Sequence, residues 1–158
     1  MNKRLEIMIF FFICSFCSLL FAIDKYSKLQ TGLKVNNVNI NQYKLLLIIP
    51  ENSCQGCLRI LLNNLEGLTQ NKDLKLIYLS INRKIYSDST ITVLDYYKNY
   101  EYFNELLGIT IYIINNGNIN QDIEIIPQNI NEIINIISKK NIKYNDLEKL
   151  KKLNNNNY

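Results

Sequence analysis

From residue 44 onward, apolar and polar positions fall into two kinds of pattern. Lys44-Leu45-Leu46-Leu47-Ile48-Ile49 is a short continuous apolar run closed by Pro50. Such a run reads as a strand buried on both faces. Leu58, Ile60, Leu61, Leu62, Leu65 and Leu68 then recur at helical spacing, which predicts a helix from Cys54 to about Thr69. Leu74 to Ile81 reads as a second strand and residues 83–90 as a polar loop. Val93, Leu94, Tyr97, Tyr100, Phe103 and Leu107 form a stripe at three- and four-residue steps, so 90–107 reads as a crossover helix. Ile109–Ile114 and Ile119–Ile126 flank Asn115-Asn116-Gly117-Asn118, a hairpin signal because Asn and Gly tolerate positive φ. Ile130, Ile133, Ile134 and Ile137 mark a helix over 128–139, and Leu147, Leu150 and Leu153 a last one over 144–153.

The predicted order is β-α-β-α-β-β-α. It gives an α/β fold with a central mixed four-stranded sheet and helices on both faces. Two right-handed crossovers place strand 110–114 parallel to strand 44–49. Residues 24–42 are polar and without strong period, and read as a linker with a short edge strand near Lys34–Ile40. The chain holds 26 Ile and 25 Asn, the signature of A/T-rich codon usage. Ile is therefore weak evidence for strand here, and Asn weak evidence for turn.

The first residues carry a different pattern. Lys3 and Arg4 precede Ile7–Ile23, which is apolar throughout except Ser15 and Ser18, and Asp24-Lys25 closes the run. This is the layout of a secretory signal peptide, and also the lower limit of a membrane span of roughly 17–25 residues. A basic start keeps that end in the cytoplasm in both cases, so both readings export the chain after residue 23 to a periplasmic or extracytoplasmic space. Leu20 weakens the cleavage signal after Ala22, so an N-terminal hydrophobic anchor helix stays open. Cys14 and Cys17 read as small apolar residues of this run. The expected organisation is thus 1–23 signal or anchor, 24–42 linker, 43–140 one domain, and 141–158 a short helix with a disordered tail in which 154–157 fray.

With 158 residues, one ordinary domain is accommodated and a large multidomain enzyme is excluded. The net charge of +4 is spread without a dense basic run, which argues against a nucleic-acid partner. There is no His at all. That removes Ser-His-Asp and Cys-His machinery, His-liganded zinc and the usual near-neutral base.

The chemistry is left to Ser53-Cys54-Gln55-Gly56-Cys57-Leu58, placed between the first strand and the first helix. At a helix start the first sulfur meets unpaired N–H groups and the positive end of the dipole, which stabilises a thiolate. The second sulfur lies one turn along, in reach of a mixed disulfide. Gly56 is expected to permit a tight approach.

Leu45–Ile49, Ser53–Cys57 and Thr110–Ile119 together resemble the thioredoxin-like superfamily, and in particular the exported thioredoxin-like proteins of Gram-negative bacteria. The resemblance covers roughly residues 43–139. It implies that Cys54 attacks, that Cys57 resolves, and that the partner is a protein thiol or disulfide. It implies a substrate groove at Ser53, Gln55, Gly56, Ile109 and Thr110, with no cofactor and no metal. Ile109 stands where the family carries a cis-proline, and Ile48 near where it carries a buried acid.

Two other readings compete. One is a thioredoxin-like scaffold or binding module in which Cys54–Cys57 is a local structural disulfide. The other is a Cu(I) or Hg(II) carrier using the same two thiolates, since Cys-x-Gly-Cys followed by Leu65-Glu66-Gly67-Leu68 is similar to small metal-carrying βαββαβ domains. Those domains usually place Met where this chain has Asn52, and they end well before residue 139.

Overall fold

The structure, a computed structural model, describes residues 26–81 and 91–155. The apolar run 7–23, the polar loop 83–90 and the last residues of the tail lie outside them.

Helix α1 occupies residues 26–35. It is followed by β1 (Leu45–Pro50), α2 (Gln55–Asn63), α3 (Leu65–Thr69), β2 (Leu74–Ser80) and β3 (Ile91–Asp95). A 3-10 turn (Tyr97–Asn99) and α4 (Tyr100–Phe103) lead to β4 (Thr110–Asn115), β5 (Asn118–Glu124), α5 (Ile130–Ile137) and α6 (Tyr144–Asn155). The strands form one mixed sheet in the order β3-β2-β1-β4-β5.

β1 is central, and its unbroken apolar run follows from that position. Leu45, Leu47 and Ile49 enter a core with α2, α3, α5 and α6, whereas Leu46 and Ile48 enter a second core with α1 and α4. Alternate side chains of a strand point to opposite faces, so a strand covered on both sides has no polar positions. The expected mixed sheet with helices on both faces is present.

Four expectations are corrected. First, the sheet has five strands. Residues 91–95 pair in parallel with β2, Leu94 opposite Leu79, although Val93 and Leu94 fit a helical stripe. The Asp95 carboxylate then accepts the Lys98 N–H at 3.1 Å, which ends the strand and starts the helical turn. Second, β4 runs antiparallel to β1, with Thr110 opposite Ile48 and Ile113 opposite Leu45. With 91–95 in the sheet, the remaining connection holds only the 3-10 turn and α4. These stay at the end where β3 finishes, so the chain enters β4 from that end. Third, residues 26–42 of the expected linker pack on the sheet. Leu29 and Leu33 of α1 are buried, and so are Val38 and Ile40 where an edge strand was expected. The Tyr26 hydroxyl donates to Asp122 at 2.6 Å, and Gly32 lies so close to Tyr102 that a Cβ would meet its ring carbon Cγ at 2.8 Å. Fourth, the helix over 54–69 is broken at Asn64, whose N–H closes on the Leu61 carbonyl.

The hairpin is as its sequence specifies. Asn116 (φ 51°) and Gly117 (φ 77°) are both left-handed, in a two-residue turn between the paired Asn115 and Asn118. The pairing slips by one residue between Ile113 and Ile114, so Tyr112 faces Asp122 rather than Gln121. The C-terminal helix forms and buries Leu150, with Leu147 and Leu153 against the first core.

Candidate functional site

β1 ends in a braced loop. Both the N–H and the hydroxyl of Ser53 donate to the Pro50 carbonyl, at 3.1 and 2.6 Å. Glu51 ties the loop to the end of β2. Its N–H donates to the Leu79 carbonyl at 2.9 Å, and its carboxylate accepts from the Ser80 hydroxyl at 2.9 Å and from the Ile81 N–H. Cys54 thus stands as the N-cap of α2, with its carbonyl taking the first helical bond from Leu58 at 2.9 Å.

The two thiols, both free, differ sharply. Cys54 is exposed, whereas Cys57 is only 2% exposed and belongs to the first core. The Cys57 backbone N–H, the Cys57 thiol and the Gly56 N–H together hold the Cys54 pKa below the ordinary thiol value. No side-chain hydrogen bond closes the cap, so this is attraction from N–H groups and the helix end rather than a formed bond. Burial, and then the neighbouring Cys54 sulfur, push the Cys57 thiol up.

Gln55 and Gly56 are exposed beside Cys54. A Cβ on Gly56 would stand 3.8 Å from the Cys54 sulfur, an ordinary contact. Gly56 is therefore not needed for a tight approach; it leaves one side of the sulfur open. Gly56→Ala should keep the fold and raise stability by about 0.5–1 kcal/mol, since Gly is costly inside a helix. It should also slow alkylation of Cys54 a few-fold by narrowing access. Thermal unfolding and a maleimide rate measure both effects.

Ile109 and Thr110 divide between the two faces. Thr110 lies opposite Ile48, so the entry to β4 and the exit from β1 share one end of the sheet. Ile109 is 1% exposed in the same core as Cys57, and its carbonyl accepts the Ile125 N–H at 2.8 Å. No peptide bond among the described residues is cis. Thr110 is buried and its hydroxyl donates to the Gly108 carbonyl at 3.1 Å. Ser53 is turned inward under Pro50. Of the expected groove residues, Gln55 and Gly56 are exposed beside Cys54, Ile109 lies in the same core as Cys57, and the Ser53 and Thr110 hydroxyls donate to the Pro50 and Gly108 carbonyls. The brace by Glu51 has a sequence signal only in its place at the strand end.

A cavity of about 580 Å3 lies by the hairpin turn between Asn37–Asn41 and Asn116–Asn118, and neither cysteine lines it. Compared with protein-family models, curated proteins and solved structures, the chain matches none.

Proposed function

We propose that this chain is an exported thiol–disulfide exchange protein acting on a polypeptide partner through Cys54 and Cys57. The observation that carries the reading is the asymmetry of the two thiols: one exposed with a lowered pKa at a helix start, the other buried with a raised one. That division suits an attacking and a resolving sulfur. The run of β1, α2, β2, β4, β5 and α5 around it supports a thioredoxin-like fold, with β3 and α1 as additions. The basic start and the apolar run Ile7–Ile23 support export, with membrane contact through residues 7–23.

The Cys54 thiolate attacks a sulfur of the partner disulfide. A Cys54–partner bond forms, the partner S–S bond breaks, and the leaving sulfur departs as thiolate. Cys57 then loses its proton and attacks the Cys54 sulfur. The intramolecular disulfide forms and the second partner thiolate leaves. The partner gains two electrons and the pair loses two; oxidation of a partner is the reverse sequence. Burial of Cys57 keeps it protonated until the mixed disulfide stands over it, and leaves only Cys54 open to an incoming ion, which favours exchange over metal carriage.

Alkylation of the reduced protein across pH tests the reading. A lowered pKa means that Cys54 remains thiolate at pH values where a free thiol is already protonated. Its labelling should therefore fall off only as pH drops through a midpoint below that of a model thiol, near 8.5. Cys57 should label far more slowly throughout. Faster labelling at Cys57, or a Cys54 midpoint at or above the free value, would reject the assignment.

A further inference from the structure

The far face of the sheet carries a feature that disulfide exchange does not itself use. Beside the entry to β4 lies a cleft of about 120 Å3 lined by Glu105, Gly108, Thr110, Tyr112, Asp122 and Glu124. Across the β4–β5 ladder Tyr112 pairs with Asp122 and Thr110 with Glu124, so these four share one face. Tyr112 is fully buried, yet its hydroxyl has no hydrogen-bond partner. Burial, followed by the charge of Asp122 and the proximity of Tyr26 and Glu105, raises the Tyr112 pKa, so the phenol stays neutral. Gly108 completes the cradle: a Cβ there would stand 2.6 Å from the Glu124 Oε1, so the carboxylate folds over bare backbone. Asp122 already accepts from Tyr26 at 2.6 Å, and Lys28 pairs with the half-exposed Glu105 at 3.6 Å. Three carboxylates thus line one cleft in a chain whose overall charge is +4.

This arrangement suits an organic cation. Among the described residues no three metal-ligating side chains gather closely enough to hold an ion. A guanidinium is planar and carries five N–H donors, matching carboxylates from adjacent strands and a phenol oxygen able to accept. The volume fits such a head group, at about 30 Å3 per displaced water. The position also matters. Ile109 and Thr110 are successive residues, the first in the core with Cys57 and the second lining this cleft. A polypeptide crossing the end of the sheet where β1 leaves and β4 enters would pass the loop leading to Cys54 and the acidic cleft.

We propose that the cleft receives an arginine side chain of the polypeptide whose cysteine reacts with Cys54, an inference that rests on the disulfide-exchange reading. The protein would then prefer partners with arginine near the reacting cysteine.

Two measurements test it. In the first, the reduced protein reacts with short peptides whose cysteine carries a chromogenic thiol leaving group and whose neighbouring position is Arg or Gln. The Arg peptide should react roughly tenfold faster at low salt, because charge-assisted contacts steer and hold it. That ratio should fall to about one in Glu124→Gln, and drop several-fold in Tyr112→Phe. The second variant removes only an unpartnered hydroxyl and should melt no lower than the parent. Equal rates in the parent, or a preference surviving both variants, would overturn the proposal. In the second measurement, N-acetyl-arginine methylamide is titrated into the full chain and backbone amide shifts are followed. Shifts centred on Gly108, Thr110 and Glu124, and lost in Glu124→Gln, support the site; shifts elsewhere or none overturn it. If neither peptide exchanges disulfides while these shifts appear, the redox reading fails and the arginine site stands.

Discussion

Replacing Cys57 with serine should convert a transient covalent complex into a stable one. In the proposed reaction of the parent, attack by Cys54 on a partner disulfide yields a mixed disulfide that Cys57 dissolves from one helical turn away. A serine hydroxyl of similar size cannot attack sulfur at neutral pH, so the complex should accumulate as a species of higher mass that collapses on reduction. Cys54→Ser should do the opposite. It removes the exposed sulfur, leaves one that is 2% exposed and raised in pKa, and should cost about a thousandfold or more in exchange rate. The Cys57→Ser variant should keep the Cys54 pKa below a free thiol's, because the Cys57 backbone N–H, the largest contribution, is untouched and a serine hydroxyl can still donate to the Cys54 sulfur. Normal turnover in Cys57→Ser, or a complex trapped through Cys57 in Cys54→Ser, would reverse the roles or end the reading.

The second large effect concerns residues 26–37. A true linker could be deleted at no cost to the domain. Here Leu29 and Leu33 are 3% and 1% exposed, and each is worth about 1.5–3 kcal/mol for full burial. Their removal would also open Leu46, Ile48 and Tyr112, and break the Tyr26–Asp122 hydrogen bond, worth about 1.5–3 kcal/mol to a charged acceptor. Deleting residues 1–37 should therefore cost about 5 kcal/mol or more, comparable with the whole stability of many domains, about 5–15 kcal/mol. A chain starting at residue 26 should keep nearly all of it. Urea unfolding of the two truncations measures the difference, and equal midpoints would return 26–37 to the status of a linker.

These two cases show what the sequence made legible. The central strand, the Asn116-Gly117 hairpin, the position of Cys54 at a helix start and the last two helices all have local causes: a continuous apolar run, a turn that needs positive φ, and apolar residues at helical spacing. α1 was hidden because its buried side is narrow. Tyr26, Leu29 and Leu33 carry it among Ser27, Lys28, Gln30, Thr31 and Lys34. β3 was hidden because Val93, Leu94 and Tyr97 satisfy a helical spacing while Ile91-Thr92-Val93 also fit a strand. Only the open edge of β2 decides between them. The direction of β4 depends on that same decision, and no local signal carries it. The acidic cleft was beyond reach for another reason. A regular hairpin about Asn116-Gly117 sets Gln121 opposite Tyr112. The one-residue slip brings Asp122 there instead, and with it Glu124 to Thr110.

The packing of α1 also fixes how far the domain can travel if residues 7–23 lie in a membrane. A flexible tether over 24–42 would have an end-to-end distance of roughly 5–6 Å times the square root of its length, or about 24 Å. With α1 folded from residue 26, only Asp24 and Lys25 separate the apolar run from the body, a reach of about 10 Å at full extension. Such a domain does not sample a volume above the bilayer; it rides on it as a rigid passenger. Encounters with a membrane-resident partner would then be set by lateral diffusion in two dimensions, and a soluble partner would have to come to the surface to be met.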